Sequence, residues 1–486
     1  MSLETQFAQL RKDFFRNPLP GVNQRKASLK ALRQQLLSMQ AELYQAAATD
    51  FGQRSASETR LLEVLPSINS IDYSLRRVKG WMKPQKRHVS PLFWPASNQV
   101  EYQPLGVVGI IVPWNYPIFL ALGPLVAAIS AGNKVMLKLS EFTPAINQVL
   151  KQLIEKALPD CALVIEGEAD VAAAFSKLPF DHLLFTGSTA VGRHVMQAAA
   201  QNLTPVTLEL GGKSPVLFGP DLHLNDYADR IIFGKCANGG QTCVAPDYLL
   251  VPAGKEQRAA EKLKAHYQQM FPQGRLSQDW TSVINPRQWQ RLQQGLQQAA
   301  AAGAQVISCG DAVDVSDPLR RMDLHLVLGA PLDCELWQQE IFGPVLPIYG
   351  YRSTKEAIEF VQARPRPLAF YLFSNDKELQ QRCREQIHAG GLCINDTLVH
   401  VGQDDLPFGG VGPSGMGHYH GKEGFLTFSH AKAVHRKGRF SSGIFGYPHM
   451  RSRLLDKVLD LWLGYRITDA NRPDDTRQAL HQREGN

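Results

Sequence analysis

The sequence predicts an α/β protein: an open, doubly wound parallel sheet followed by a second α/β unit. Three observations carry this. Short apolar runs, of the kind that form strands buried on both faces, recur at Val107 to Val112, Lys134 to Leu139, Leu163 to Ile165 and His182 to Phe185. Helical patterns alternate with them over Ile118 to Ser130 and Pro144 to Ala157, and again up to Ala200. After the strand-like stretch Val206 to Leu210 the alternation restarts, and 486 residues are long enough for two or three domains.

In chain order, residues 1 to 80 read as helices. Leu29, Leu32, Leu36 and Leu37 fall near one face, Glu58 to Lys83 repeats the style, and nothing in this stretch predicts chemistry. Prolines and aromatics break the pattern from Trp81 to Ser97, and Val100 to Gln103 reads as a strand. A domain boundary is expected near residue 208. Beyond it come a helix over Asp226 to Cys236, a strand over Tyr248 to Val251, and helices over Gly254 to Gln269 and Pro286 to Ala302. Glycines then crowd Phe408 to Gly417. Leu454 to Leu463 is amphipathic and is expected to pack on the body, and the polar tail beyond Ile467 is expected to be mobile.

Composition excludes several classes. A net charge of +7 is mild for this length, its basic residues are dispersed, and no aromatic stacking pattern accompanies them, which argues against nucleic acid. Seven widely spaced cysteines with no C-x-x-C argue against a disulfide framework and a zinc site, and for a reducing compartment. The apolar stretch Val107 to Leu139 is interrupted by Pro113, Asn115, Pro117 and Pro124, so no integral membrane anchor is expected. Met1 to Phe15 lacks the apolar core of a signal peptide, and the cytoplasm is the expected location. His418 and His420 have no further ligand near them in sequence, and no metal is expected.

The candidate chemistry starts with Cys243, in a short polar loop after Gly239-Gly240, and Glu209, at a strand end before Gly211-Gly212. Backbone can approach a ligand closely at such glycines, so a thiol and a carboxylate there suggest a nucleophile and a base. A buried, inert cysteine is the alternative. Gly187-Ser188-Thr189-Ala190-Val191-Gly192 follows a strand and opens a helix, which suits a phosphate or is simply a strand–helix turn. Lys138 and Glu141 end another strand and could grip a ribose. Asn115, between Trp114 and Tyr116, could donate to an oxyanion. Asn115, Lys138, Glu141 and Gly187 all fall at strand carboxyl ends, where ligand sites of open α/β sheets gather.

Five motifs in order, Pro113 to Pro117, Phe185 to Thr189, Glu209 to Lys213, Gly240 to Cys243 and Glu340 to Val345, resemble those of the aldehyde dehydrogenase superfamily. Pro407 to Gly417, with Tyr419 to Lys422 and Thr427 to His430, is similar to its class 3 branch. Cys393 to Thr397 with His400 is similar, within that branch, to the coniferyl aldehyde dehydrogenase group. The resemblance implies Cys243 as nucleophile, Glu209 as general base, and Asn115 with the Cys243 N–H as oxyanion hole. It implies NAD as cofactor, with NADP tolerated. Lys138 and Glu141 would hold the adenine ribose; Gly187, Ser188 and Gly192 would lie near the pyrophosphate; Glu340 and Phe342 would position the nicotinamide ribose and ring, and Trp114 would also bind the cofactor. Leu139 stands where the family commonly has proline.

The resemblance further implies a Rossmann-like NAD-binding domain (residues 1–80 and 105–208), a catalytic domain (209–405), bridging segments (81–104 and 406–440) that make a homodimer, and a tail (441–486). The expected reaction oxidises an aldehyde, aromatic or medium-chain, to the acid through a cysteine thiohemiacetal and thioester. The alternatives are an acylating, coenzyme A-linked enzyme, which would not need Glu209, and a catalytically idle binding protein.

Overall fold

In a computed structural model, residues 2–310, 316–439, 447–450 and 453–464 are described. The chain divides into two compact units: residues up to Lys83 together with Tyr102–Ala431, and Pro84–Glu101 with the described residues from Lys432 onward.

The smaller unit contributes to a three-stranded sheet in which β1 (Gln85–Arg87) pairs antiparallel with β2 (Ala96–Pro104). The larger unit holds two sheets. The first is built from β3 (Val107–Ile111), β4 (Lys134–Lys138), β5 (Ala162–Ile165), β6 (His182–Gly187) and β7 (Val206–Leu210), all parallel. The second contains β8 (Pro215–Phe218), β9 (Tyr248–Pro252), β10 (Gln305–Ser308), β11 (His325–Leu328), β12 (Val345–Tyr351), β13 (Ala369–Phe373) and β14 (Gly391–Ile394). Its order is β10-β11-β12-β9-β8-β13-β14, with only β10 antiparallel to its neighbour. The two-residue β15 (Gly415–Met416) returns to the first sheet, antiparallel to β7, and β16 (Ser429–Lys437) joins β1 and β2.

Alternation along the strands sorts the first sheet's two faces. Val108, Ile110, Val135 and Leu137 pack with α2 (Val22–Ser38), α3 (Gln40–Phe51), α5 (Leu65–Trp81), α6 (Pro117–Ala131) and α7 (Pro144–Ala157). Val107, Ile111, Met136, Leu183 and Phe185 instead pack with Phe7 and Leu10 of α1 (Leu3–Arg16), Phe175 of α8 (Ala169–Ser176) and Val195 of α9 (Thr189–Ala200). Helix α6 is apolar all round and buried almost throughout, as a helix pressed between a sheet and other helices must be. The predicted helix from Glu58 is broken: α4 (Ala56–Thr59) runs through a π turn, Arg60–Val64, before α5.

Strand order β15-β7-β6-β3-β4-β5 puts the reversal of winding between β3 and β6. A crevice at the carboxyl ends of two such strands is where open α/β sheets bind ligands. From β7 the chain passes through Gly211–Ser214 directly into β8. The carboxyl end of β7 therefore meets the amino ends of β8 and of its neighbour β9.

The helix predicted over Leu454 to Leu463 forms at Arg453–Leu463, with Leu454, Leu461, Trp462 and Leu463 more than half exposed. The polar tail beyond Ile467 lies outside the described residues.

Candidate active site

The loop carrying Cys243 owes its shape to three successive left-handed residues. Helix α10 (Ala228–Cys236) ends, and Asn238, Gly239 and Gly240 follow at φ +55°, +59° and +76°. A side chain at Gly240 would run into the carbonyl of Gly343 and one at Gly239 into that of Thr281, so both positions demand glycine. Gln241, fully buried, then fixes the loop from within. Its amide donates to Asn238 O (2.9 Å) and Ser282 O (3.0 Å) and accepts from Ile284 N (2.9 Å). The Thr242 hydroxyl meets the Tyr116 hydroxyl at 2.8 Å, and Tyr371 donates to Val244 O at 2.6 Å. Cys243 is thus half-buried on a rigid turn.

Two cavities meet at its thiol. One, about 310 Å³, is lined by Trp114, Asn115, Gly187, Ser188, Glu209, Glu340 and Phe342 among others. The other, about 380 Å³, is walled chiefly by apolar side chains, including Leu61, Leu62, Phe119, Phe233, Val399 and Val401. Cys243, Leu120, Phe408 and Tyr419 belong to both. Sequence order β3–β6–β7 across the sheet explains the first set, since Asn115 follows β3, Ser188 follows β6 and Glu209 is on β7.

Eight of the eleven residues singled out from the sequence therefore share one cavity. Lys138, Glu141 and Gly192 do not line it. Lys138 ends β4, on the far side of β3, where its ammonium lies 3.2 Å from the Glu141 carboxylate. Gly192 faces inward: a Cβ there would strike Leu210, which makes it a packing position between α9 and β7. Sequence reasoning missed Arg291, on the cavity wall, whose guanidinium donates to Ile341 O at 2.5 Å and to Glu340 O at 3.3 Å. An arginine within an ordinary helical pattern carries no signal of such a role.

The electrostatics of the thiol are unusual. Burial, then the Glu340 and Glu209 carboxylates, push Cys243 up to about 12, while its own N–H and that of Val244 pull the other way. Glu209 is 3% exposed, and neither of its carboxylate oxygens has a hydrogen-bond partner among the described residues. Desolvation raises it well above the usual carboxylate range. Space for its carboxylate is left by Gly409, and pairing of Glu209 with Gly415 of β15 fixes its backbone. Glu340 is raised to about 8 by burial and the Asp247 carboxylate, against the Gly212 N–H, Lys213 and Arg291. Its carboxylate lies against Gly211, where any side chain would collide with it.

A cysteine, a desolvated carboxylate and a side-chain amide around one point suit acyl chemistry. The aldehyde dehydrogenase family model matches residues 18–434. The chain belongs to the aldehyde dehydrogenase family. It is 52% identical over 447 residues to a probable coniferyl aldehyde dehydrogenase of Pseudomonas aeruginosa, covering 92% of this chain and 93% of that one. It is 37% identical to aldehyde dehydrogenase family 3 member H1 of Arabidopsis thaliana, over 93% and 94% of the two chains. The solved structure of the substrate-bound state of Staphylococcus aureus AldH matches at a TM-score of 0.88 with 37% identity, over 94% of this chain and all of that one. The class 3 resemblance holds, and aldehyde oxidation with NAD is the activity of this aldehyde dehydrogenase.

The residues present fit that cofactor. Gly187 and Ser188 precede the amino end of α9, on the cavity wall. Phe342 is held in the left-handed region at φ +48°, its ring edge-on to Trp114 at 5.3 Å, so two rings flank the same space as the half-buried Glu340.

Proposed function

We propose that Cys243 is the nucleophile, Glu209 the general base, and the Asn115 amide with the Cys243 N–H the oxyanion site of an aldehyde dehydrogenase acting on aromatic, cinnamyl-type aldehydes. The observation that carries this reading is the meeting of the two cavities at one thiol, with Glu209 and Asn115 on one side and an apolar chamber on the other. The Asn115 Nδ2 spends one hydrogen on Gln241 O at 3.2 Å and keeps the second for a substrate oxygen. Trp114, Gly187, Ser188, Glu340 and Phe342 hold the nicotinamide and phosphate end of NAD. The paired Lys138 and Glu141 reach its adenine ribose. NAD bound there supplies the hydride acceptor.

On this chain, the sequence of events is a matter of protons and shape. Burial holds the proton on the Cys243 thiol, which gives it up to solvent water as the sulfur attacks the carbonyl carbon. The oxyanion of the resulting thiohemiacetal is met by donors already fixed, so no reorganisation is required. After oxidation the thioester on Cys243 faces Glu209, which takes a proton from water and releases the acid. A desolvated carboxylate is a stronger base than a solvated one, which suits that role.

The substrate class rests on the apolar chamber and on the coniferyl-type relative. At about 380 Å³ the chamber suits a ring-bearing aldehyde better than a two-carbon one. We infer also a homodimer built through segments 81–104 and 406–440, a cofactor domain ending near residue 208 with a catalytic domain to residue 405, and a cytoplasmic location. The exposed Phe93 and Trp94 support the first of these. Aldehyde-dependent NADH formation, measured for coniferaldehyde and acetaldehyde with and without coenzyme A, tests the function. The expected result is a higher kcat/KM for coniferaldehyde and no dependence on coenzyme A. A kcat/KM for acetaldehyde equal or higher would overturn the substrate class.

A further inference from the structure

The helical N-terminal region, silent in the sequence, sends three charged side chains into the interior beside the oxyanion site. Arg54 and Glu63 form an ion pair at 3.1 Å with both side chains wholly buried. The other oxygen of Glu63 accepts from Ile118 N (2.7 Å) and Phe119 N (3.2 Å), the first turn of α6. That helix has no side-chain cap of its own, so Glu63 supplies one from a distance, where the helix dipole favours a negative charge. Arg54 also donates to the carbonyl of Asn115 at 3.2 Å and lies over the Tyr116 ring at 5.2 Å. The carboxylate of Glu58 accepts from Thr281 Oγ1 and from the backbone N–H of Asn238. Asn238 in turn spans the two halves of the site, its Nδ2 donating to Asn115 O (2.8 Å) and to Gln241 O (3.1 Å).

Burying the Glu63 carboxylate and the Arg54 guanidinium, with Glu58 half-buried beside them, is expensive, and well-packed apolar residues would stabilise a fold as well or better. The charges here converge on a short stretch of backbone, Asn115 to Phe119, and on the residue that ties it to the Cys243 loop. We propose that Arg54, Glu58 and Glu63 are positioning residues that set the aim of the Asn115 amide relative to the Cys243 thiol. They touch neither substrate nor cofactor; they act through Asn115 and Asn238. This inference rests on the reading of Asn115 as the oxyanion donor.

The test is the rate of the NADH burst when enzyme with NAD is mixed with coniferaldehyde, taken for wild type, Glu58→Gln, Asn115→Ala and the double variant. Asn115→Ala is expected to slow the burst by about 10²–10³-fold. Glu58→Gln keeps the shape but can accept only one of the two hydrogen bonds, and is expected to slow it by about 10–10²-fold through misplacement, with the Kd for NAD unmoved. In the Asn115→Ala background, where there is no amide left to aim, Glu58→Gln should cost less than about threefold. A general loosening of the fold would instead cost the same factor in both backgrounds and weaken NAD binding, and either result overturns the proposal. A folded Glu58→Gln with an unchanged burst overturns it too. If Asn115→Ala alone leaves the burst intact, the oxyanion reading falls and takes this inference with it. Should Glu58→Gln not fold, Thr281→Val, which removes one donor to Glu58, carries the same comparison in both backgrounds.

Discussion

The two cavities that meet at Cys243 are built in opposite ways. The smaller is made by strand ends and glycines: Gly187 ends β6, Glu209 lies near the end of the adjacent β7, and Gly211 follows it. The larger is made by side chains from the π turn after α4, from α6, from α10 and from the loop around Leu398 to Gln403. A wall of backbone and charge is intolerant of change, because each polar group is aimed at a fixed point. A wall of apolar side chains can be resized one residue at a time while the chemistry stays where it is. On the proposed reading, the same thiol serves the reaction on one side and an adjustable specificity on the other.

Mutations can break this division. The largest effect is expected for Cys243→Ala, which removes the atom common to both cavities. Turnover should fall by ~10⁴-fold or more, the scale seen when a nucleophile is deleted, while NAD titration gives a near-normal Kd. Cys236→Ala, seven positions back on α10 and buried, should do far less. Retained turnover in Cys243→Ala would reject the nucleophile.

Next, Val401→Asp puts a charge on the apolar wall alone. Desolvating it should cost roughly 1–3 kcal/mol of substrate binding, so kcat/KM for coniferaldehyde should drop about 10–10²-fold while that for acetaldehyde and the Kd for NAD stay nearly unchanged. An equal loss for both aldehydes would mean that the two cavities are not separable. A smaller effect is expected from Glu141→Ala. Its carboxylate favours a ribose 2′-OH over a 2′-phosphate, and Lys138 beside it offsets part of that preference. NAD should be preferred over NADP in the wild type, and the ratio of their KM values should narrow by a few fold in the variant.

The same division governs what the sequence made legible. The α/β alternation, Glu209 and Cys243 were visible because apolar runs, glycine pairs and an isolated thiol are local signals. Strand β15 was not, since Gly415-Met416 has no strand pattern and exists only by pairing with β7. The first eighty residues carry no chemical signal in their sequence. Arg54, Glu58 and Glu63 look like ordinary helix-surface charges in one dimension, and only the packing of α4 and the π turn against α6 and the Asn238 turn turns them inward. Gly192 stands out in the sequence by its place in a loop motif, and only the fold shows that a Cβ there would also strike Leu210.

Glu209 gives the most direct test of the whole account. Its carboxylate is raised by burial, so below the ordinary carboxylate range it is protonated in folded and unfolded chain alike and costs nothing. As pH rises through that range the unfolded chain ionises first, and stability falls. Glu209→Gln should therefore raise the Tm at pH 8 and leave it little changed at pH 4. The same substitution removes the base, a loss of about 10²–10⁴-fold in rate that should fall on release of the acid. On mixing the variant with NAD and coniferaldehyde, the account predicts one rapid burst of NADH per active site followed by a very slow steady phase, with the acyl group found by mass spectrometry on the peptide containing Cys243. A burst that vanishes together with the steady rate would contradict it, and would move Glu209 to deprotonation of Cys243 itself.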